Sequence, residues 1–490
     1  MEITLPYIPN EVLRVTETLE KAGFEAYLVG GCVRDLLLGR APKDWDITTN
    51  AVPSEIQSLF EETYYNNDFG TVGVVTTSER ASLKVIEITP YRTEGTYTDA
   101  RRPDSVSFSK KLSDDLERRD FSINAMAFRV SSETLVDMFN GKEDLKKGLI
   151  RAVGDANKRF SEDALRILRA VRLSAELGFV IEADTLSAIV TCVTQLEKIS
   201  KERIRDEFSR IMLSDRPAEA LFLMKQVKML QFVIPDIMRS INVEQNKSHK
   251  YNVFEHLVRS AQHAADKNLP LDMRLAALFH DISKPESRRF SQETHDYTFY
   301  GHEVIGARVT KRALQSLKYP NELVERVSLL VRWHMFFSDP DEITLSAVRR
   351  MISNVGKDNI WDLLELRICD RIGSGRPKEQ PFRFRKYKAM VEEALRDPVS
   401  VGMLKVDGAK IMETFHEKPG PRIGWTLHAL LEEVIEDPTK NTEILLLKRA
   451  KELLELPDQE LEVLGRKGKE KRDEVDDAEI AQIQKKYGVQ

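Results

Sequence analysis

Cysteine is almost missing from this 490-residue chain: Cys32, Cys192 and Cys369 stand far apart, which excludes a disulfide framework and a CxxC metal site. No run of about 18 apolar residues occurs, so no helix is expected to span a membrane. The opening MEITLPYIPNEVLRV has neither the basic start nor the apolar core of a signal peptide, and a cytoplasmic protein is expected. Basic excess is also absent. A net charge of −5 argues against broad, nonspecific coating of nucleic acid but leaves room for a local basic groove. No internal repeat is found. Histidine is missing from the whole first half, since all nine lie from His249 onward, and this asymmetry divides the chain into two chemically different halves.

With 31% charged and 41% hydrophobic residues, the composition suits a helix-rich protein, and the length argues for roughly three or four domains. The first 150 residues alternate helix and strand. The pattern predicts a helix over 11–22, with Val12, Val15 and Leu19 on one face, and strands over 24–29, 45–48, 71–77 and 85–89. Between Pro90 and Phe108 lies TEGTYTDARRPDSV, a polar stretch too long for a tight hairpin, either plain surface or a functional loop. From about residue 158 the pattern is helical. One helix is predicted from a cap at Ser161 to a stop at Gly178, carrying Leu165, Leu168 and Val171 as a stripe, with further helices over 182–213 and 216–230. Breaks fall at INVEQNKSHKYN and RPKEQPFR. The last stretch, GRKGKEKRDEVDDAEIAQIQKKYGVQ, is charged and poor in apolar residues, so a disordered or loosely helical tail is expected.

The densest chemistry lies in YLVGGCVRDLLLGRAPKDWDITTN, residues 27–50. Asp44 and Asp46 flank Trp45, and on a strand residues two apart share a face. Adjacent carboxylates repel unless a cation separates them, and paired divalent ions are a means of phosphoryl transfer. Gly30 and Gly31 permit close backbone approach and a phosphate nest. Alone, the carboxylate pair also fits an ordinary solvated surface. The whole string closely resembles the opening motif of the class II nucleotidyltransferases, the CCA-adding enzymes and bacterial poly(A) polymerases. That resemblance implies an α/β head with a polymerase-β-like mixed sheet, followed by all-α neck, HD and tail domains. The expected division is a catalytic head over 1–150, a neck over 151–240, an HD domain over 241–385, a helical body over 386–460 and a charged tail over 461–490.

Further motifs follow in order. DLERRDFSINAMAF holds Arg118, Arg119 and Asp120; arginines can clamp a triphosphate and a carboxylate can take a ribose hydroxyl, although a charged helix start is the plainer alternative. The stretch resembles the family motif that selects ribonucleotides, with Ser122 for the usual threonine. VDMFNGKEDLKKGLIR, with Asp137, Gly141, Asp144 and Arg151, resembles the family's hinge between head and neck. In EDALR, Asp163 and Arg166 are three apart and would share a helical face, as a salt bridge or otherwise. EDxxR resembles the motif that offers an aspartate and an arginine to the Watson–Crick edge of the incoming base, a template made of side chains. Arg34 and Arg169 join the implied nucleotide-binding set. KERIRDEF, with Arg203 and Glu207, resembles the motif that braces the template helix, or is a surface ion pair. Glu87 is a candidate further acid near the metals. Arg92 and residues 93–102 resemble the flexible loop used in switching from CTP to ATP, and its completeness favours terminal adenosine addition.

The second half gathers imidazoles and carboxylates: HKYNVFEH (His249, His256), LFHDISKP (His280, Asp281), GHEVIGA (His302), LVRWH (His334) and LRICDR (Asp370). This mixture suits a hydrolytic divalent-metal site. The order resembles the HD phosphohydrolases. By that resemblance His256, His280, Asp281 and Asp370 form the core metal set, His302 and His334 complete a second position, and Lys284 reaches a phosphate. A degenerate domain kept as a helical scaffold is the alternative. The stretch around PGPRIG, with Lys405, Lys410, Lys418 and Arg422, resembles the tail that cradles the tRNA body.

The implied reaction is attack of a tRNA 3′-hydroxyl on CTP or ATP, with two Mg²⁺ at Asp44 and Asp46 and pyrophosphate released. The implied partners are tRNA, CTP and ATP, with no membrane and no obligate protein partner. The HD centre, with a divalent metal of unassigned identity, could act on phosphate or cyclic phosphate at RNA 3′ ends. Competing readings are a poly(A) polymerase, which usually lacks the HD set and is more basic, and a partial CC- or A-adding enzyme. A third is an HD phosphohydrolase with a merely RNA-binding head, which the Asp44/Asp46 pair and EDxxR oppose.

Overall fold

The computed structural model describes residues 8–66, 70–94, 106–246, 249–336, 342–396 and 400–489. The chain separates into two compact units, Met1–His334 with Cys369–Pro377, and Met335–Ile368 with Lys378–Gln490.

The first unit opens with the amphipathic helix Asn10–Lys21, which buries Val12, Val15 and Leu19. Among the described residues, nine short strands follow in the head: β1 Ala26–Val29, β2 Asp46–Thr49, β3 Thr63–Asn66, β4 Thr71–Val75, β5 Val85–Pro90, β6 Arg92–Glu94, β7 Val106–Phe108, β8 Met126–Arg129 and β9 Thr134–Asp137. Seven of them form one sheet in the order β3-β4-β5-β2-β1-β8-β9, while β6 and β7 pair separately. Only β2 and β5 run parallel within the sheet, so it is mixed. Alternation along the strands sends Ile47, Val72, Val74, Ile86 and Ile88 into the core on one face. On the other face the helix Leu112–Glu117 covers Val29 and Ala127 through Leu116, at the β1–β8 side. Asp46 and Glu87, one strand and two strands away, are left uncovered by that helix.

From Ala156 the unit is helical. The helix predicted from Ser161 to Gly178 is instead two, Ala156–Glu162 and Leu165–Leu177. Asp163 sits between them in an extended conformation, and its carboxylate accepts from Leu165 N at 3.0 Å. A short side chain that bonds nearby backbone competes with the helical ladder. The helix predicted over 182–213 is likewise broken, into Ala183–Cys192, a 3₁₀ turn and Lys201–Leu213. Arg274, buried on the helix Leu271–Phe279, donates to the carbonyls of Leu269, Met212 and Ser214 and so ties the histidine-rich helices to the end of Lys201–Leu213.

In the second unit the helix Pro421–Glu436 starts at the PGPRIG turn and packs on Glu443–Leu454 and Asp458–Lys486. The segment 461–490, expected as a disordered or loosely helical tail, lies mostly within that 29-residue helix. Composition misses this because the helix docks through glycines rather than a wide apolar stripe. A Cβ at Gly465 would come 2.6 Å from Trp425 Cα, and one at Gly468 would overlap the His428 carbonyl. Charged contacts hold its far end, where Arg396 meets Asp476 and Glu479, and Lys486 meets Glu392. Gly468→Val should therefore lower stability by about 1–3 kcal/mol through overpacking, whereas exposed Lys467→Ala should stay within about 0.5 kcal/mol, both read by urea unfolding.

Candidate active site and metal centre

β1 ends at Gly30, whose φ of +80° turns the chain into the helix Gly31–Leu37. A Cβ at Gly30 would lie 3.1 Å from Arg119 Nη1 and 3.7 Å from Asp46 Oδ2, so the missing side chain is what lets backbone, guanidinium and carboxylate meet. Asp46 pairs in register with Glu87, which sets the two side chains on one face of adjacent strands. Burial pushes the Asp46 carboxyl up to about 6; Arg119 opposes the rise, and Glu87 and Asp44 add to it. Its crowded negative charge is the condition a divalent cation relieves.

Asp44 is not on the strand. β2 begins at Asp46 because its neighbour β1 stops at Val29, opposite that point, and Gly30 turns away. Asp44 lies in the exposed bend before the strand, with Trp45 buried between the two acids. It remains near enough to act on Asp46 electrostatically.

Arg118 and Arg119 follow the end of the helix Leu112–Glu117 rather than starting one. Asp115, a turn earlier and fully buried, holds both: Arg118 donates to Oδ1 through Nε and Nη2 at 3.0 and 2.5 Å, and Arg119 Nη2 donates to Oδ2 at 3.0 Å. Burial alone would raise the Asp115 carboxyl, but the Arg119 and Arg118 guanidiniums outweigh it and hold it below its usual value. Asp120 is buried, accepts from Phe121 N at 2.8 Å and pairs with Arg169 at 3.0 Å. Arg34 donates to Asp35 and, at 2.8 Å, to Asn124. Gly31 lies beside Arg34. Arg92 is buried at the head of the expected nucleotide-switching loop, whose residues from 95 onward lie outside the described ones.

Asp163 and Arg166 do not pair with each other. Asp163 accepts from Arg203 Nη2 at 2.8 Å, and Arg166 donates to Glu162 at 2.8 Å and to the carbonyls of Arg159 and Arg118 at 3.0 and 2.9 Å. Arg203 and Glu207 are not a surface pair either. Glu207 takes Arg172 Nε at 2.5 Å, so the Lys201–Leu213 helix grips the Leu165–Leu177 helix and the Asp163 break at two points.

In the histidine-rich region, Asp281 is the centre. Its Oδ2 lies 3.0 Å from His256 Nε2 and 3.3 Å from His280 Nε2, and Asp370 stands 3.4 Å from His256. Its Oδ1 lies 3.0 and 3.3 Å from Nε2 of His302 and His334. The Nδ1 atoms of His280, His302 and His334 face the carbonyls of Ala277, Phe299 and Val331 at 2.9, 2.5 and 2.7 Å, which assigns their protons to Nδ1. The Nε2 atoms of His302 and His334 therefore face each other as acceptors at 3.2 Å. Oδ1 of Asp281 is buried without a hydrogen-bond donor. Acceptors converging on one another in this way fit divalent cations, one group being His256, His280, Asp281 and Asp370, and the other Asp281, His302 and His334. Burial lowers His334 to about 4, keeping its ring neutral as a ligand. At His280 burial acts downward, but the Asp281 and Asp370 carboxylates prevail and raise it to about 9. Lys284, expected to reach a phosphate, is itself buried, 2.5 Å from Asp281 and donating to Gln245.

Three segments of the chain match known families. Residues 26–151 match the poly A polymerase head domain, 178–240 the "probable RNA and SrmB- binding site of polymerase A", and 253–372 the HD domain. The CCA-adding enzyme of Pediococcus pentosaceus is 32% identical over 452 residues, 92% of this chain and 99% of that one. The chain belongs to the CCA-adding enzyme family. The CCA-adding enzyme of Leuconostoc mesenteroides is 48% identical over 235 residues, a match that spans 48% of this chain and 57%, little more than half, of the relative. A crystal structure of the Bacillus stearothermophilus CCA-adding enzyme with CTP covers 92% of this chain and 98% of its own, at 26% identity and a TM-score of 0.56. The Thermotoga maritima CCA-adding enzyme, solved with tRNA, shares the fold at 21% identity and a TM-score of 0.53, over 93% of this chain and 97% of its own.

Within this CCA-adding family member, sequence reasoning missed Asp115, Glu162, Arg159 and Arg172. Asp115 was accessible, since a carboxylate three and four residues before two arginines shares their helical face. Glu162 likewise lies three and four residues from Arg159 and Arg166, whereas the bond of Arg172 to Glu207 joins two helices and leaves no local pattern. At the HD centre, a metal must displace the proton that His280 carries at neutral pH. Titrating Mn²⁺ into chelator-treated protein at pH 7 should therefore release protons, seen as a buffer-dependent binding heat. Binding should weaken towards pH 5 and vanish in Asp281→Asn.

Proposed function

We propose that this protein extends the 3′ end of tRNA without a nucleic-acid template, adding C, C and A from CTP and ATP and releasing pyrophosphate. The observation that carries the reading is the meeting of Gly30, Arg119, Asp46 and Glu87 at one point of the head sheet, with Asp115 holding the arginines in place. The relatives' names and the CTP bound to the Bacillus stearothermophilus enzyme support it. Asp44 and Asp46, with Glu87 beside them, would hold Mg²⁺, which when bound lowers the cost of deprotonating the attacking hydroxyl and of charge on the departing pyrophosphate. Arg118 and Arg119 would neutralise the triphosphate, and the open backbone at Gly30 would admit it. Such an enzyme works where tRNA matures, in the cytoplasm.

Choice of nucleotide would rest on the segment around Asp163. Its carboxylate, fixed by Arg203 and Leu165 N, offers an acceptor to the base. Arg166 now spends its Nη donors on Glu162, Arg159 and Arg118, so reading a base with Arg166 would exchange those bonds for the base. The bond to the Arg118 carbonyl joins the base-reading segment to the triphosphate arginines.

A second activity is favoured by the converging acceptors around Asp281: hydrolysis of a phosphate or cyclic phosphate at an RNA 3′ end, with a divalent cation at the HD centre.

The test is to incubate the protein with tRNA lacking its 3′ end and each nucleotide, then sequence the products. CCA is expected; long A tails or no extension would refute the reading. Asp46→Ala should abolish incorporation and leave tRNA binding largely intact. His280→Ala should remove phosphohydrolase activity and spare CCA addition, whereas parallel loss of both would mean the centre is structural.

A further inference from the structure

A row of side chains crosses the uncovered face of the head sheet. Asp46 pairs with Glu87, Glu87 with Gly73, and Gly73 with Tyr64, so all four positions point the same way. Tyr64 ends the row on the edge strand β3 and is 46% exposed. Its ring lies across Gly73: a Cβ there would come 2.7 Å from the phenol oxygen and nearer still to the ring carbons. The glycine thus makes room for a flat aromatic surface over the backbone of β4. No described residue takes the Tyr64 hydroxyl.

The direction of the row matters. Gly30 and Arg119, the groups suited to the triphosphate, stand on the β1 side of Asp46. Phosphoryl transfer puts the attacking and leaving oxygens roughly in line, so the attacker enters from the opposite side. That side is Glu87, Gly73 and Tyr64. Two strand spacings, about 10 Å, separate Gly73 from Asp46, roughly the reach of one nucleotide.

We infer that Tyr64, seated on Gly73, is the stacking surface for the terminal base of the acceptor RNA, holding its 3′-hydroxyl at the carboxylates. This rests on the nucleotidyl-transfer reading above. Stacking tolerates any base, which suits an acceptor end whose last base changes after each addition. Covering an edge glycine with an aromatic ring also has a purely structural use, so the test must separate the two. Tyr64→Leu keeps apolar cover and loses the π-face, while Tyr64→Phe keeps both.

The experiment measures steady-state KM for tRNA and for CTP, and the fluorescence of tRNA ending in 2-aminopurine. Wild type and Tyr64→Phe should quench the terminal 2-aminopurine on binding. Tyr64→Leu should lose the quench and raise KM for tRNA about 5- to 100-fold, with KM for CTP and the unfolding midpoint unchanged. Unchanged quench and tRNA KM in Tyr64→Leu would overturn the inference, as would a change confined to the KM for CTP. If wild type fails to extend tRNA, the reading above falls, and the quench alone then decides: its absence in wild type overturns the stacking surface too.

Discussion

Negative charge gathered where water is partly excluded is the constraint on which this structure turns. Asp46 cannot ionise cheaply, because burial and the neighbouring Glu87 and Asp44 outweigh the single guanidinium of Arg119. The fold tolerates this because Arg119 cannot swing away: Asp115 fixes it from the helix Leu112–Glu117, and Gly30 leaves it space. Asp115 already spends part of the arginines' charge, so the balance at Asp46 stays negative. A site left short of positive charge suits cations and, under the proposed function, a triphosphate carried with them.

The same network reaches into the neck. Arg118 gives its side chain to Asp115 and its carbonyl to Arg166, and Arg166 is held in turn by Glu162. Asp163 next to it is gripped by Arg203, whose helix also fixes Arg172 through Glu207. Under the proposed function, chemistry and base choice would therefore be two ends of one chain of charged hydrogen bonds, each stronger for being partly buried.

Much of this was legible in the sequence, and the failures have physical causes. The mixed-sheet head followed by helices was readable because alternating and helical apolar patterns are local. Asp44 was misplaced because a strand's first residue is set by where its partner ends, here Val29, and pairing is non-local. The single helix over Asp163 was wrong because that carboxylate bonds Leu165 N and breaks the ladder, which apolar spacing does not record. The tail looked loose because packing through Gly465 and Gly468 leaves no apolar stripe to count. At the HD centre the histidine order named residues that the fold brings together, but which oxygen of Asp281 faces which pair is tertiary information.

The head and the HD centre answer the same electrostatic problem in opposite ways. Around Asp281 the surroundings are closed: the carboxylate is buried, its neighbours are imidazoles oriented by backbone carbonyls, and Lys284 and His280 bring positive charge to it. Burial with preset ligands favours a cation that stays. Around Asp46 the partner acid Asp44 is exposed, Glu87 is exposed, and no histidine is present to complete a cage. Carboxylates with open positions suit a hard cation that arrives with phosphate and leaves with pyrophosphate. Under the proposed function, the absence of histidine from the first half of the chain suits a site whose metal would travel with its substrate.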